Sequence, residues 1–196
     1  MTADEFVKIV VPDAGPINTL GAAGLLDYLL LPENAQLVLV DEVRREIVSR
    51  SSELADFVAR NAARILTYES DIGRAAAHMR AMGLKPLRNS GEQAVIEFIL
   101  HGVDEAIGNA PALIVYEDKR LPRAQLRSEF GERAHMITTA AYLRKLEAEG
   151  LIASFAETWA HIVSANSSSA RGIHREPGSE EREIPTPKGS RIRFKR

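Results

Sequence analysis

Two apolar runs of strand character in this chain end on acids. VKIVVPDAG delivers Asp13, and ALIVYEDKR delivers Glu117 and Asp118. Between them, two helix-like segments carry further carboxylates: DEVRREI with Glu42 and Glu46, and SGEQAVIEFI with Glu92. In an open α/β sheet the carboxyl ends of the strands form the crevice where ligands bind. Carboxylates gathered there repel one another unless a hard divalent cation neutralises them, and Mg²⁺ or Mn²⁺ prefers oxygen ligands of this kind. The set predicts metal-assisted phosphoryl chemistry, with nucleic acid as the substrate class.

Each acid also has an ordinary reading. Asp13 can cap the helix that follows it, and Asp118 can be a turn residue. Glu46 lies four residues after Glu42 on one helix, where exposed glutamates are common. Glu92 falls in a first helical turn, where the macrodipole favours negative charge. Taken singly, Glu42, Glu46 and Glu92 read as helix surface. Asp13 and Asp118 stand out because both close buried strands. The joint pattern is more specific than any member.

Other chemistry is poorly represented. The chain has no cysteine, which removes disulfides, thiolate zinc sites and cysteine nucleophiles and fits a reducing compartment. Its five histidines (His78, His101, His135, His161 and His174) have no metal-ligand spacing.

The elements that must position the acids follow from periodicity and punctuation. Val7–Val11 is short, β-branched and stopped by Pro12, the pattern of a buried strand. Pro16 suits a first helical turn, and that helix runs through Ile17, Leu20 and Ala23, with a second short helix through Leu25, Leu26 and Leu29. Gln36–Val40 is the next strand, and Asp41 is an N-cap for a helix over Val43–Val48. Ser51–Asn61 is helical, Arg64–Thr67 an edge strand, and Asp71–Met82 a helix ended by Gly83. Ser90 caps a helix whose apolar positions Ala94, Val95, Phe98 and Ile99 share one face. Ala112–Tyr116 is a central strand, Arg120–Ser128 a helix and His135–Ile137 a short strand. A long helix then runs from Thr138 or Thr139 to Glu149, and a last one spans Phe155–Val163. Alternating strands and helices predict an α/β fold, a three-layer α/β/α sandwich around a mainly parallel sheet.

The chain of 196 residues suits one domain with some residues to spare. Residues 1–164 form the predicted folded unit. From about Ala165 the composition turns polar and rich in Pro, Gly and Ser, so residues 165–196 read as a disordered tail. Its last stretch holds Lys188, Arg191, Arg193, Lys195 and Arg196 without an acid. The net charge of −2 excludes a strongly basic glove over the whole chain, leaving local basic patches as the route to nucleic acid. The amino-terminal segment lacks the pattern of a secretory signal, and the apolar stretch GLLDYLLL is too short to span a bilayer. The expectation is a cytoplasmic protein with no membrane partner.

VVPDAGPINTL, DEVRREI, GEQAVIEFI and ALIVYEDKR, followed by ITTAAYLRKLEAEGLI, resemble a PIN domain of the VapC-toxin-like group, over about Val7 to Val163. The resemblance implies an Mg²⁺- or Mn²⁺-dependent endoribonuclease with an α/β/α sandwich. The family's acidic positions fall on Asp13, Glu46, Glu92 and Asp118, with Glu117 an accessory neighbour. Asp13, Glu92 and Asp118 would bridge one or two metals, and Glu46 would hold an outer ligand or orient a water. The family often has a hydroxyl or amide soon after its first aspartate. Here Ala14-Gly15 stands there, and Asn18 or Thr19 is the substitute one turn later. Thr138 sits where a hydroxyl often flanks the site.

Lys119, Arg120 and Arg123 are the nearest cations for RNA phosphates, with Arg44, Arg45 and Arg88 as further ones. The resemblance also implies a homodimer and, for a toxin, an antitoxin partner.

Two rivals stand beside this reading. A catalytically inactive PIN-like module binding nucleic acid or a protein partner would be expected to have lost acids, and all four positions hold one. A phosphoacceptor domain of the response-regulator kind needs an acidic pair after its first strand and a lysine after its fifth. Here the first strand offers Asp13 and the fifth ends in Thr138-Thr139.

Overall fold

A computed structural model describes residues 6–117, 134–166 and 194–195. Five parallel strands form one sheet: β1 (Val7–Val11), β2 (Ala35–Val40), β3 (Ile65–Tyr68), β4 (Ala112–Tyr116) and β5 (Ala134–Thr138), in the order β3-β2-β1-β4-β5. The helices are α1 (Gly15–Ala22), α2 (Asp41–Arg50), α3 (Ser52–Arg60), α4 (Asp71–Ala81), α5 (Ser90–Glu97), α6 (Val103–Ile107), α7 (Thr139–Ala148) and α8 (Phe155–Ala165). A 3₁₀ turn over Leu26–Leu30 precedes β2, and a π turn over Phe98–Gly102 joins α5 to α6.

The strands are apolar on both faces because helices cover both. Val7, Ile9, Val11, Leu37, Leu39, Leu113 and Val115 point into one core with residues of α1, α3, α7 and α8. The alternate residues Val10, Val38, Val40, Ala112, Ile114 and Tyr116 point into a second core with residues of α2, α5 and α6. The period-two alternation of the pleat divides a nearly continuous apolar strand between two cores. This is the three-layer α/β/α sandwich that the alternation of elements predicts. Among the described residues no helix is long and apolar enough to cross a membrane.

Local signals place most boundaries. Pro16 sits in the first turn of α1, and Gly150 adopts φ 67° just past α7. Two caps differ from expectation. Val40 and not Asp41 is the N-cap of α2, and the Asp41 carboxylate instead accepts from the Ser70 hydroxyl at 2.8 Å. Asn89, at φ 65°, is the N-cap of α5. The Ser90 hydroxyl instead donates to Glu42 from a buried position. The expected helix over Arg120–Ser128 lies outside the described residues.

Residues of the expected tail meet the fold at two described points. Asn166 is buried and donates to the Thr19 carbonyl at 3.1 Å. Phe194 is buried and belongs to the first core, and its ring packs edge-on to Tyr142 at 6.2 Å. Expected disorder does not extend to Phe194 and Lys195. An aromatic side chain with a vacant apolar site recovers enough burial to hold a short polar segment in place.

Candidate functional site

The order of the sheet reverses between β1 and β4. At such a switch point the following connections diverge to opposite sides and open a crevice beyond the carboxyl ends of the strands. The register decides which residues reach it. Val10 pairs with Ile114, and Tyr116 pairs with Thr138. Continuing each ladder past its last pair sets Asp13, Glu117 and Thr139 side by side at that edge. Pleat alternation sends Asp13 and Glu117 toward the same face.

The side chains bear this out. The Glu117 Oε2 accepts a hydrogen bond from the Thr19 hydroxyl at 2.8 Å, and its Oε1 accepts one from the Thr139 hydroxyl at 2.7 Å. Both threonines are buried. Asp13 Oδ1 accepts from the Gly15 amide at 2.6 Å, which folds the aspartate back over the start of α1. Its Oδ2 is buried. A Cβ built on Gly15 would lie 2.6 Å from Asp13 Oδ1, 2.9 Å from Glu117 Cβ and 3.1 Å from Glu117 Oε2. Both carboxylates therefore converge on Gly15, a position where a side chain would meet them.

Burial pushes the Glu117 carboxyl above its ordinary range, and the Asp13 charge pushes the same way, against the two threonine hydroxyls that favour the ionised form. The arrangement is a half-enclosed pair of oxygen donors with unfavourable mutual charge. Such a donor set fits a hard divalent cation, and Mg²⁺ is often held by only one or two carboxylates with water and substrate phosphate completing its shell.

The other expected residues are distributed differently. Glu46 forms an ion pair with Arg50 at 2.7 Å along α2. Its Oε2 also lies 4.0 Å from the position a Gly91 Cβ would take, so it faces the start of α5 beside the Gly91-Glu92 pair. Glu92 is exposed in the first turn of α5. The structure thus brings Asp13 to Glu117, and Glu46 to the Gly91-Glu92 turn. Among the described residues no group of three or more acids or histidines is set to hold a metal ion. Asp118, Lys119, Arg120 and Arg123 lie outside the described residues.

Of the expected cations that are described, Arg44 donates to the Thr67 hydroxyl, Arg45 donates to Glu42, and Arg88 is exposed. Of the hydroxyls, Thr19 reaches the site and Thr138 does not. Thr138 is the N-cap of α7 and accepts from the Ala141 amide at 3.2 Å. Its neighbour Thr139 points to Glu117, because adjacent residues leaving a strand project to opposite sides. The signal for Thr139 was in the sequence, in the register of two parallel strands that both stop at a threonine or an acid, but that register becomes known only with the sheet order.

A second acidic centre was not anticipated. Glu42 is 3% exposed. It accepts from both Arg80 guanidinium nitrogens at 2.9 and 2.5 Å, from Arg45 at 3.2 and 3.1 Å, and from Ser90 at 3.2 Å. Burial alone would raise its carboxyl. The bonds from Arg80 and then Arg45 outweigh it and hold the group down at about 2. This centre ties α2 to α4 and α5 and is structural. No family model matches the chain, and neither curated proteins nor solved structures provide a match.

Proposed function

We propose that the protein is a metal-dependent endoribonuclease that hydrolyses RNA phosphodiesters at the β1/β4 edge. The observation that carries this reading is the convergence of Asp13 and Glu117 on Gly15 at the topological switch point. A glutamate kept only for stability would meet arginine, as Glu42 does. Here the contacts to Glu117 are uncharged hydroxyls, which fix the carboxylate without discharging it.

Asp13 and Glu117 would hold Mg²⁺ or Mn²⁺, joined by Asp118 and with Glu46 and Glu92 on the α2–α5 side of the edge. A bound divalent cation supplies a water acidic enough to attack near neutral pH and offsets charge growing on the phosphate oxygens. The chain's own part is positional. Thr19 and Thr139 lock the Glu117 rotamer, and the Gly15 amide locks Asp13. Neither carboxylate then has to reorganise when the phosphate arrives. Lys119, Arg120 and Arg123 follow Asp118 in sequence and supply the phosphate-binding charge. A water nucleophile leaves a 5′-phosphate and a 3′-hydroxyl.

The deciding experiment incubates total RNA with the protein and Mg²⁺ or Mn²⁺, beside the same mixture with EDTA and an Asp13→Asn variant, and maps fragment ends. The expected result is metal-dependent fragments with 5′-phosphates, lost with EDTA and with Asp13→Asn. Cleavage by Asp13→Asn at the wild-type rate would refute the assignment. Absence of cleavage combined with Mn²⁺ binding that needs Asp13 would leave a binding module in its place.

A further inference from the structure

The Phe194 site lies far along the sheet from the carboxylate edge, at the start of β2, and its construction is that of a preformed seat. The turn from Pro32 to Ala35 is clamped from behind. Arg64 donates to the Pro32 carbonyl at 2.5 Å and to the Ala35 carbonyl at 3.1 and 3.0 Å, and the Val7 amide donates to the Asn34 carbonyl at 2.8 Å. None of these bonds involves the tail. They leave the Glu33 amide and the Asn34 side chain directed at the segment that docks there. The Glu33 amide donates to the Lys195 carbonyl at 3.0 Å, and the Lys195 amide donates to Asn34 Oδ1 at 2.9 Å. The aromatic ring enters beside Tyr142, whose hydroxyl is held by the Tyr28 carbonyl at 2.9 Å. Lys145 covers the ring with its ammonium 4.9 Å from the centroid.

Recognition here uses one aromatic side chain and both backbone groups of the next residue. It makes no use of the sequence separation of 161 residues between Asn34 and Lys195. We propose that this seat is a peptide-recognition site for an extended segment carrying an aromatic residue followed by a non-proline residue, with flanking basic residues tolerated. In the resting chain its occupant is the protein's own Phe194–Lys195, and a free segment of the same chemistry competes for it. Exchange of the occupant needs only local opening of this segment and not of the global fold.

The test uses the full chain with Phe194→Ala and a dye-labelled peptide Arg-Ile-Arg-Phe-Lys-Arg, matching residues 191–196. Fluorescence polarisation should give tighter binding to Phe194→Ala than to wild type, whose seat is filled. Changing the peptide's Phe to Ala, or its Lys to Pro, should weaken binding at least tenfold. Equal binding of the Phe and Ala peptides, equal binding to wild type and variant, or no binding to a folded Phe194→Ala chain each overturns the proposal. Should Phe194→Ala fail to fold, Lys195→Pro removes the amide donated to Asn34 and leaves the ring. That variant must then bind the peptide more tightly than wild type, or the proposal fails. The result is independent of whether the carboxylate edge cleaves RNA.

Discussion

Glu42 and Glu117 are the same residue type, the first buried and the second half-buried, each following an apolar run, and their surroundings give them opposite properties. Glu42 meets two guanidinium groups and is held down at about 2. Glu117 meets two threonine hydroxyls and the charge of Asp13, and its carboxyl is raised. The first arrangement spends its charge inside the protein. The second meets the carboxylate with uncharged partners at the switch point of the sheet. A buried acid is therefore informative about function only through what faces it.

The largest separation between the two centres should appear in catalysis. Asp13→Asn and Glu117→Gln are expected to lower metal-dependent RNA cleavage by about 100-fold or more, the scale on which loss of one charge-stabilising group is felt. Glu117→Gln should leave Tm at neutral pH equal to wild type or above it, because it removes the repulsion from Asp13. A Glu117→Gln chain that melts well below wild type would make this carboxylate structural and erase the contrast.

Stability should separate them in the opposite sense. Glu42→Ala leaves Arg80 and Arg45 facing an emptied, enclosed position and should cost about 3 kcal/mol, or about 10 °C in Tm for a chain of this length. The effect depends on pH in a defined direction. The Glu42 carboxyl is lowered from 4.5 to about 2 on folding, so its contribution is complete above 4.5 and fades as pH falls toward 2. Melting of wild type and Glu42→Gln across that interval should converge at the acid end. A constant gap would mean that packing, not charge, holds this centre.

Smaller effects refine the comparison. Thr139→Val removes one of the two hydroxyls on Glu117 and should cost about 1 kcal/mol, with cleavage reduced because the carboxylate is no longer fixed. Thermal melting and initial rates on the same preparation read both. Glu46→Gln breaks an exposed pair with Arg50 and should change stability by less than about 0.5 kcal/mol. Any loss of cleavage beyond that variant's stability change would assign Glu46 to the reaction.

Much of the fold was legible beforehand. The strand over Val7–Val11 matches its predicted bounds, and Ala112–Tyr116 does as well. Short β-branched runs bounded by Pro or Gly have few alternatives when helical segments alternate with them. Asp13 was legible as an acid at a strand end for the same reason, since it closes such a run. Ser90 was misread because a serine before an apolar helix has two good uses. Its hydroxyl can cap the helix or reach a buried acid, and only the position of α2 decides between them. Phe194 was hidden because composition averages over a window, and one aromatic residue among polar neighbours does not alter the average.

Local pattern alone determined that this chain alternates strand and helix, that its sheet is buried on both faces, and that acids sit at strand ends. These are short-range properties, set by side-chain periodicity and by the backbone limits of proline and glycine. Which acid faces which partner was decided by tertiary structure. Strand order and register bring together residues as far apart as Thr19 and Glu117, and Glu42 and Arg80, and electrostatics acts on distance in space, not along the chain.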